Sequence, residues 1–204
     1  MGYIVYPIAV DLEKVRSAIG SKDRTLLARL HSTSDLKQTD EMLADRFEDD
    51  EDGELGAPLT TADILRHLVM GEPYRDGLGF AYGYCFESLC THFGTVLDNR
   101  HWSAMRGRWF DTVQEALAQA GVSEKQFSVG RLVLRGPPVE LPAIDDFPGI
   151  GYLTKTEVGD ARSALARADL AKVTLREAVE AIEQVRGWLD ECARSGRDLV
   201  CTYA

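Results

Sequence analysis

With 204 residues, 45% of them apolar and 27% charged, the chain has the size and balance of one globular domain with enough apolar side chains to close a core. No run reaches the roughly 18 uninterrupted apolar residues of a membrane helix, and the amino end MGYIVYPIAVDLEKV lacks a basic leader and a cleavage site, so a cytoplasmic chain is expected. The formal charge of −10 is concentrated: residues 40–54 hold nine acids and one arginine, leaving −2 for everything else, so acidity argues against a nucleic-acid partner only near that segment.

Residues 3–10, YIVYPIAV, are aromatic and β-branched and predict a strand, in which Pro7 points to an edge position or a bulge. Asp11 is placed to cap a short helix carrying Leu12, Val15 and Ile19 inward and stopped by Gly20. A second helix is expected from Lys22 through Leu30. Residues 32–58 have weak periodicity and read as an acidic, partly disordered excursion, helical in part and ending in a solvated loop. In PLTTADILRHLVMGEP, Thr60 and Asp63 form a capping box, Leu59 and Ile64 a staple, and Gly71 with Pro73 a stop. FAYGYCFESLCTHFG sets Tyr82, Phe86, Leu89, Cys90 and Phe93 at helical spacing and should be the most buried helix.

A further helix is predicted from about Ala104 to Ala120, with Trp109, Val113, Ala116 and Leu117 on one stripe and Gly121 as terminator. FSVGRLVLRG reads as a strand and PPVELPAIDDFPGIG as an extended, proline-stiffened connection. Thr154 with Glu157 forms a second capping box, and Thr174 with Glu177 a third, ahead of a long helix with Leu175, Val179, Ile182, Val185, Leu189 and Cys192 facing inward. RDLVCTYA closes the chain as a strand. The pattern predicts a single α+β domain over 1–204: a small mixed sheet including both terminal strands, covered by several amphipathic helices.

Three blocks, MGYIVYPIAVDLEKVRSAIG, DFPGIGYLTKTEV and VRGWLDECARSGRDLVCTYA, resemble uncharacterised bacterial YfbM-like proteins. HLVMGEP, YGYCFESLC and HWSAMRGRWF resemble a related actinobacterial and myxobacterial family of unknown function. The resemblance implies an α+β fold with both termini in the sheet, and it carries no catalytic residue over to this chain.

Cys85, Cys90, His92 and His101 follow a C-x4-C-x-H-x8-H pattern that matches no compact zinc spacing. On a helix Cys90 turns roughly 140° from Cys85, so the four cannot converge and no metal or cofactor is expected. The four cysteines of the chain read as reduced, buried thiols. Aligning Gly53 with the EF-hand glycine places Leu59 where the bidentate glutamate must stand, which leaves a solvated loop rather than a calcium site. Gly149 and Gly151 in PGIGYLT suggest a phosphate loop only weakly, since no strand is expected before them and Asp145 and Asp146 stand just upstream.

No hydrolase, phosphate-loop or zinc-protease motif occurs. What remains is Glu87 in an apolar helix, with His101 and Arg106 as counter-groups: a structural ion pair, or the catalytic group of an unrecognised enzyme. Arg100, Trp102 and Arg108 have the composition of an exposed protein-binding patch, and Glu48, Asp49, Asp50, Glu51 and Asp52 would attract a basic partner. The function expected is therefore a protein-interaction module, immunity-type or adaptor, that binds another protein. The alternatives are an enzyme of unrecognised type and a small-ligand sensor. Membrane and nucleic acid are disfavoured as partners, and a homo-oligomer stays open.

Overall fold

A computed structural model describes residues 2–204. Four strands, β1 (Val5–Val10), β2 (Thr95–Val96), β3 (Gly149–Leu153) and β4 (Asp198–Tyr203), form one sheet in the order β2-β1-β4-β3. The α+β class read from the sequence is the one the chain adopts and the two terminal strands are neighbours, but all three pairings are antiparallel, so the sheet is not the mixed one expected. Ile8 stands opposite Val200, and Cys201 lies between Pro7 and Gly151. Pro7 is not on an edge strand, because β1 runs between β2 and β4. Its carbonyl still accepts the Leu97 N–H at 2.8 Å, and its missing donor falls on the side where β2 offers only two residues.

Contacts divide the chain into two compact units. The first takes the residues up to Leu12 with Gly94–Pro138 and Gly149–Ala204; the second takes Glu13–Phe93 and Val139–Pro148.

In the first unit the sheet packs with α6 (Trp109–Gln119), α7 (Val129–Leu134), α8 (Lys155–Ala166) and α9 (Arg176–Ser195). Its core includes Trp102, Val113, Leu117, Leu132, Leu165, Ile182, Trp188 and Leu189. The stretch expected as a strand at 127–136 instead holds α7, and the strand of this region is β3, which begins within the last residues of the stretch expected to be a connection. The buried residues of α7 are Val129, Leu132 and Val133, an i, i+3, i+4 set that suits a helix face; alternation would have buried every second residue. β3 lies tightly against α7. A Cβ on Gly151 would stand 2.4 Å from the Leu132 carbonyl, so the glycines of PGIGYLT permit a close helix–strand approach rather than phosphate binding.

α6 begins at Trp109 and not near Ala104, because Tyr3 and Met105 exchange two backbone hydrogen bonds, of 3.0 and 2.8 Å, as an isolated bridge. The box expected at Thr174 and Glu177 does not form. A 3₁₀ turn at Leu170–Lys172 precedes α9, its N-cap is Leu175 with no side-chain bond, and Leu175 is 40% exposed rather than inward.

The box at the start of α8 does form, and its glutamate is the hub of a larger cluster. Glu157 accepts the Thr154 N–H at 2.9 Å and is approached by Arg131 at 2.6 Å and Arg135 at 2.9 Å, while the Arg135 guanidinium lies 4.0 Å over the Tyr152 ring. Burial pushes the Glu157 carboxyl up, but the Thr154 and Arg135 hydrogen bonds outweigh it and hold the group at about 2. A folded-state value below the ordinary 4.5 means stability that is full above pH 4.5 and lost as pH falls through 2. We expect Glu157→Gln to cost about 2 kcal/mol at pH 7. Urea melts at stepped pH should show the gap to wild type closing between pH 4.5 and 2.

Asp198, the first residue of β4, is buried, and its two oxygens accept the N–H of Leu12 at 2.9 Å and of Lys155 at 2.8 Å. One carboxylate thus takes a first-turn donor from α8 and from α1 (Leu12–Ala18).

The second unit is helical: α2 (Arg24–Thr33), α3 (Lys37–Glu48), α4 (Thr61–Met70) and α5 (Gly79–Phe93), around a core with Leu30, Leu43, Ile64, Leu68, Leu78, Tyr82 and Leu89. α2 starts at Arg24, two residues later than expected, after Asp23, whose carboxylate accepts the N–H of Thr25 and Leu26. The capping box of α4 forms as read, and Gly71 ends that helix in the left-handed conformation. α5 carries the largest buried face of the unit. A Cβ on Gly79 would stand 1.8 Å from the Ala143 carbonyl oxygen, which is why α5 can begin beside the 139–148 segment only with glycine there.

Candidate functional site

The acidic excursion folds into α3 and the turns after it. Thr39 and Leu43, one turn apart, are the buried residues of α3 and anchor it. Of the nine acids between 40 and 54, eight are exposed and Asp50 is half-buried. Two have structural duties: Asp40 accepts the Thr61 N–H at 2.8 Å, and Asp50 accepts the N–H of Glu54 and Leu55 at 3.1 and 2.9 Å. Asp50 is therefore a turn former and leaves the set of expected partner-binding residues, whereas Glu48, Asp49, Glu51 and Asp52 stay on the surface. Among the described residues, the ion pair in this segment is the exposed Lys37–Glu41 contact at 3.7 Å.

The far end of the acidic turn is tied down. Arg75 Nη1 donates to the Leu55 carbonyl at 3.0 Å and to that of Ala57. The Arg75 N–H donates to the Tyr82 hydroxyl at 2.9 Å, and that hydroxyl meets His67 Nδ1 at 2.7 Å. Tyr82 is fully buried and His67 is 7% exposed. The sequence reading missed this pair, although a histidine between Ile64 and Leu68 on an apolar helix face was a visible signal.

In the first unit, Leu97, Asp98, His101, Glu180, Gln184 and Trp188 line a groove of about 500 Å³. Its polar groups are mutually engaged. Asp98 accepts Arg100 Nε at 2.8 Å and Gln184 Nε2 at 2.9 Å, and Gln184 Oε1 accepts the His101 N–H at 2.8 Å. The carboxylate beside the His101 ring is Glu180, with Oε2 3.6 Å from Nδ1; Glu180 also accepts Arg176 Nε at 2.8 Å. Glu87 is half-buried and belongs to the helical unit, whereas His101 and an exposed Arg106 belong to the sheet unit. Glu180 stands beside His101, a neighbour that local sequence did not reveal.

Trp102 is not a surface anchor. It is 0% exposed, its Nε1 donates to the Ala181 carbonyl at 3.1 Å, and its ring lies 5.7 Å from Trp188 and 6.2 Å from Phe110. The 3₁₀ turn Arg100–Trp102 rotates it inward while Arg100 stays in solvent. Arg108 is exposed, 3.6 Å from Asp111, and has a left-handed φ of 74° at the start of α6.

All four cysteines are buried, and burial pushes each thiol up: Cys192 to about 12, and Cys85, Cys90 and Cys201 in the same direction. None supplies a thiolate nucleophile near neutral pH. Among the described residues, no three His, Cys, Asp or Glu side chains are grouped to hold a metal ion.

A family model described as a domain of unknown function, DUF7691, matches residues 1–204. The chain belongs to the DUF7691 family. No curated protein and no solved structure matches it. Among the described residues, no helix is long and apolar enough to cross a membrane.

Proposed function

We propose that the protein is a cytoplasmic interaction module of bacterial immunity or adaptor type, which binds a basic segment of a partner protein along α3 and the turn that follows. The observation that carries this reading is where the charge sits. Glu48 ends α3 and Asp49 caps it, at the pole where a helix macrodipole favours cations, so each opposes the helix by about 0.3–1 kcal/mol. Folding alone would not favour that placement, whereas capture of a basic partner would. The YfbM-like resemblance supports the bacterial part of the reading.

A second reading, a small-ligand or enzymatic site, draws on the His101–Glu180 groove, whose volume suits a small molecule. It is the weaker one, because the carboxylates of Asp98 and Glu180 already have partners within the chain.

Association of a nine-lysine peptide tests the first reading. In low salt, neutralising Glu48, Asp49, Glu51 and Asp52 to the amides should slow association about tenfold and flatten its salt dependence. Neutralising Glu115, Glu124, Asp160 and Glu177, exposed acids of the other unit, should leave the rate within about twofold. The first set should also raise thermal stability slightly, since it relieves the end of α3. Equal slowing by both sets would sink the proposal.

A further inference from the structure

The hydrogen bonds around Tyr82 favour one arrangement of protons. Its hydroxyl has one hydrogen and, among the described residues, two partners: the Arg75 N–H, which can only donate, and His67 Nδ1. The arrangement in which every donor of this trio finds an acceptor sends the Tyr82 proton to Nδ1. In that arrangement His67 is neutral with its hydrogen on Nε2, which faces the Glu72 carboxylate at 3.8 Å. A proton added at Nδ1 would put two hydrogens on one 2.7 Å line. Tyr82 would then have to turn its O–H away inside a fully buried site, where an unpartnered donor is costly.

Tyr82 holds the backbone of Arg75, and Arg75 holds the carbonyls of Leu55 and Ala57. Leu55 also fits against Gly77, where a Cβ would come within 2.8 Å of its side chain. The chain of contacts thus runs from an imidazole on α4, through a phenol on α5, to the loop that closes the acidic turn.

We infer that His67 is a proton-operated latch on residues 50–58: protonating its imidazole detaches Tyr82, loosens Arg75 and frees the turn that displays the acidic face. The inference deepens the proposed function by assigning regulation to the same surface, and its relevance to partner binding rests on that reading.

The charged and titratable groups around His67 are Asp63 and Arg66 on α4, Glu72 and Arg75 on the following segment, and Tyr82 on α5. Burial lowers the pKa of His67, Arg66 and Arg75 act in the same direction, and Glu72 and Asp63 oppose them without reversing the result. The closed loop resists a proton that the opened loop accepts at the ordinary value near 6.5. Stability of the closed form is therefore full above pH 6.5 and is lost as pH falls below it. One proton can shift the opening equilibrium by up to tenfold per pH unit.

Hydrogen exchange of the full chain, corrected for intrinsic rates, should show protection of amides 50–58 falling by up to about tenfold per pH unit below 6.5, with α9 unchanged. His67→Asn, which keeps an acceptor near Nδ1 and cannot titrate, should abolish the pH dependence, and Tyr82→Phe should leave the loop unprotected at pH 8. His31→Gln, removing the exposed imidazole near the Ala62 carbonyl, should change nothing.

Retention of wild-type pH dependence in His67→Asn, or a protected loop in Tyr82→Phe, would overturn the latch. If either variant fails to fold, NMR of the wild type decides: the Arg75 amide shift must titrate together with the His67 ring, and independent titration overturns the latch as well. A working latch in a protein that ignores the lysine peptide at every pH would sink the partner reading alone; a static loop with peptide binding intact would sink only the latch.

Discussion

Trp102→Ala should destabilise the protein by about 3–5 kcal/mol, the range for emptying a core tryptophan site. The ring is fully buried against Trp188 and Phe110, so truncation removes aromatic packing and leaves a cavity at the contact of α9 with the 3₁₀ turn. Urea unfolding followed by circular dichroism should report a lower midpoint at unchanged slope. Trp102→Phe should recover most of the packing and lose about 1 kcal/mol for the bond to the Ala181 carbonyl. A stability change below about 0.5 kcal/mol for the alanine variant would return Trp102 to the surface.

Asp198→Ala should be of comparable size, about 3–4 kcal/mol, because it strands two N–H groups at once, each costing about 1–3 kcal/mol when buried without an acceptor. Both lie in the first turn of a helix, where the lost negative charge adds to the cost. Asp198→Asn should lose roughly half as much: its oxygen still serves one donor, while its amide nitrogen confronts the other. The two amides report this directly. Exchange protection should fall at both Leu12 and Lys155 in the alanine variant, and mainly at one of them in the asparagine variant.

These residues mark the boundary of what was legible in the sequence. The α+β class, the pairing of the terminal strands and the capping boxes at Thr60 and Thr154 could be read because each depends on a pattern within a few residues or on burial of both chain ends. Asp198 could not be given its role, since its acceptors serve donors 186 and 43 positions away. Glu180 was missed for the same reason: no local rule connects it to His101. Trp102 was misplaced because an arginine-rich neighbourhood resembles an interface, while the 3₁₀ turn that buries the ring has no strong sequence signature. β3 was missed because its glycines suggested a ligand when they were clearing space for α7. The acidic run showed that acids would be exposed at Glu48, Asp49, Glu51 and Asp52 but hid the turn-forming role of Asp50, since a turn-forming carboxylate and a displayed one look alike in sequence.

The hydrogen-bonded pairing of β1 with β4 also sets a schedule for biosynthesis. Val5, Ile8 and Val10 are made well before the strand that covers one whole side of β1. While the ribosome works through the intervening helices, β1 has at most the two-residue β2 as a sheet neighbour, and its apolar edge stays available to other chains. The sheet can close only after Tyr203 has left the exit tunnel. Folding of this unit should therefore be slow for its size, sensitive to disruption of β4, and dependent on whatever shields β1 in the meantime.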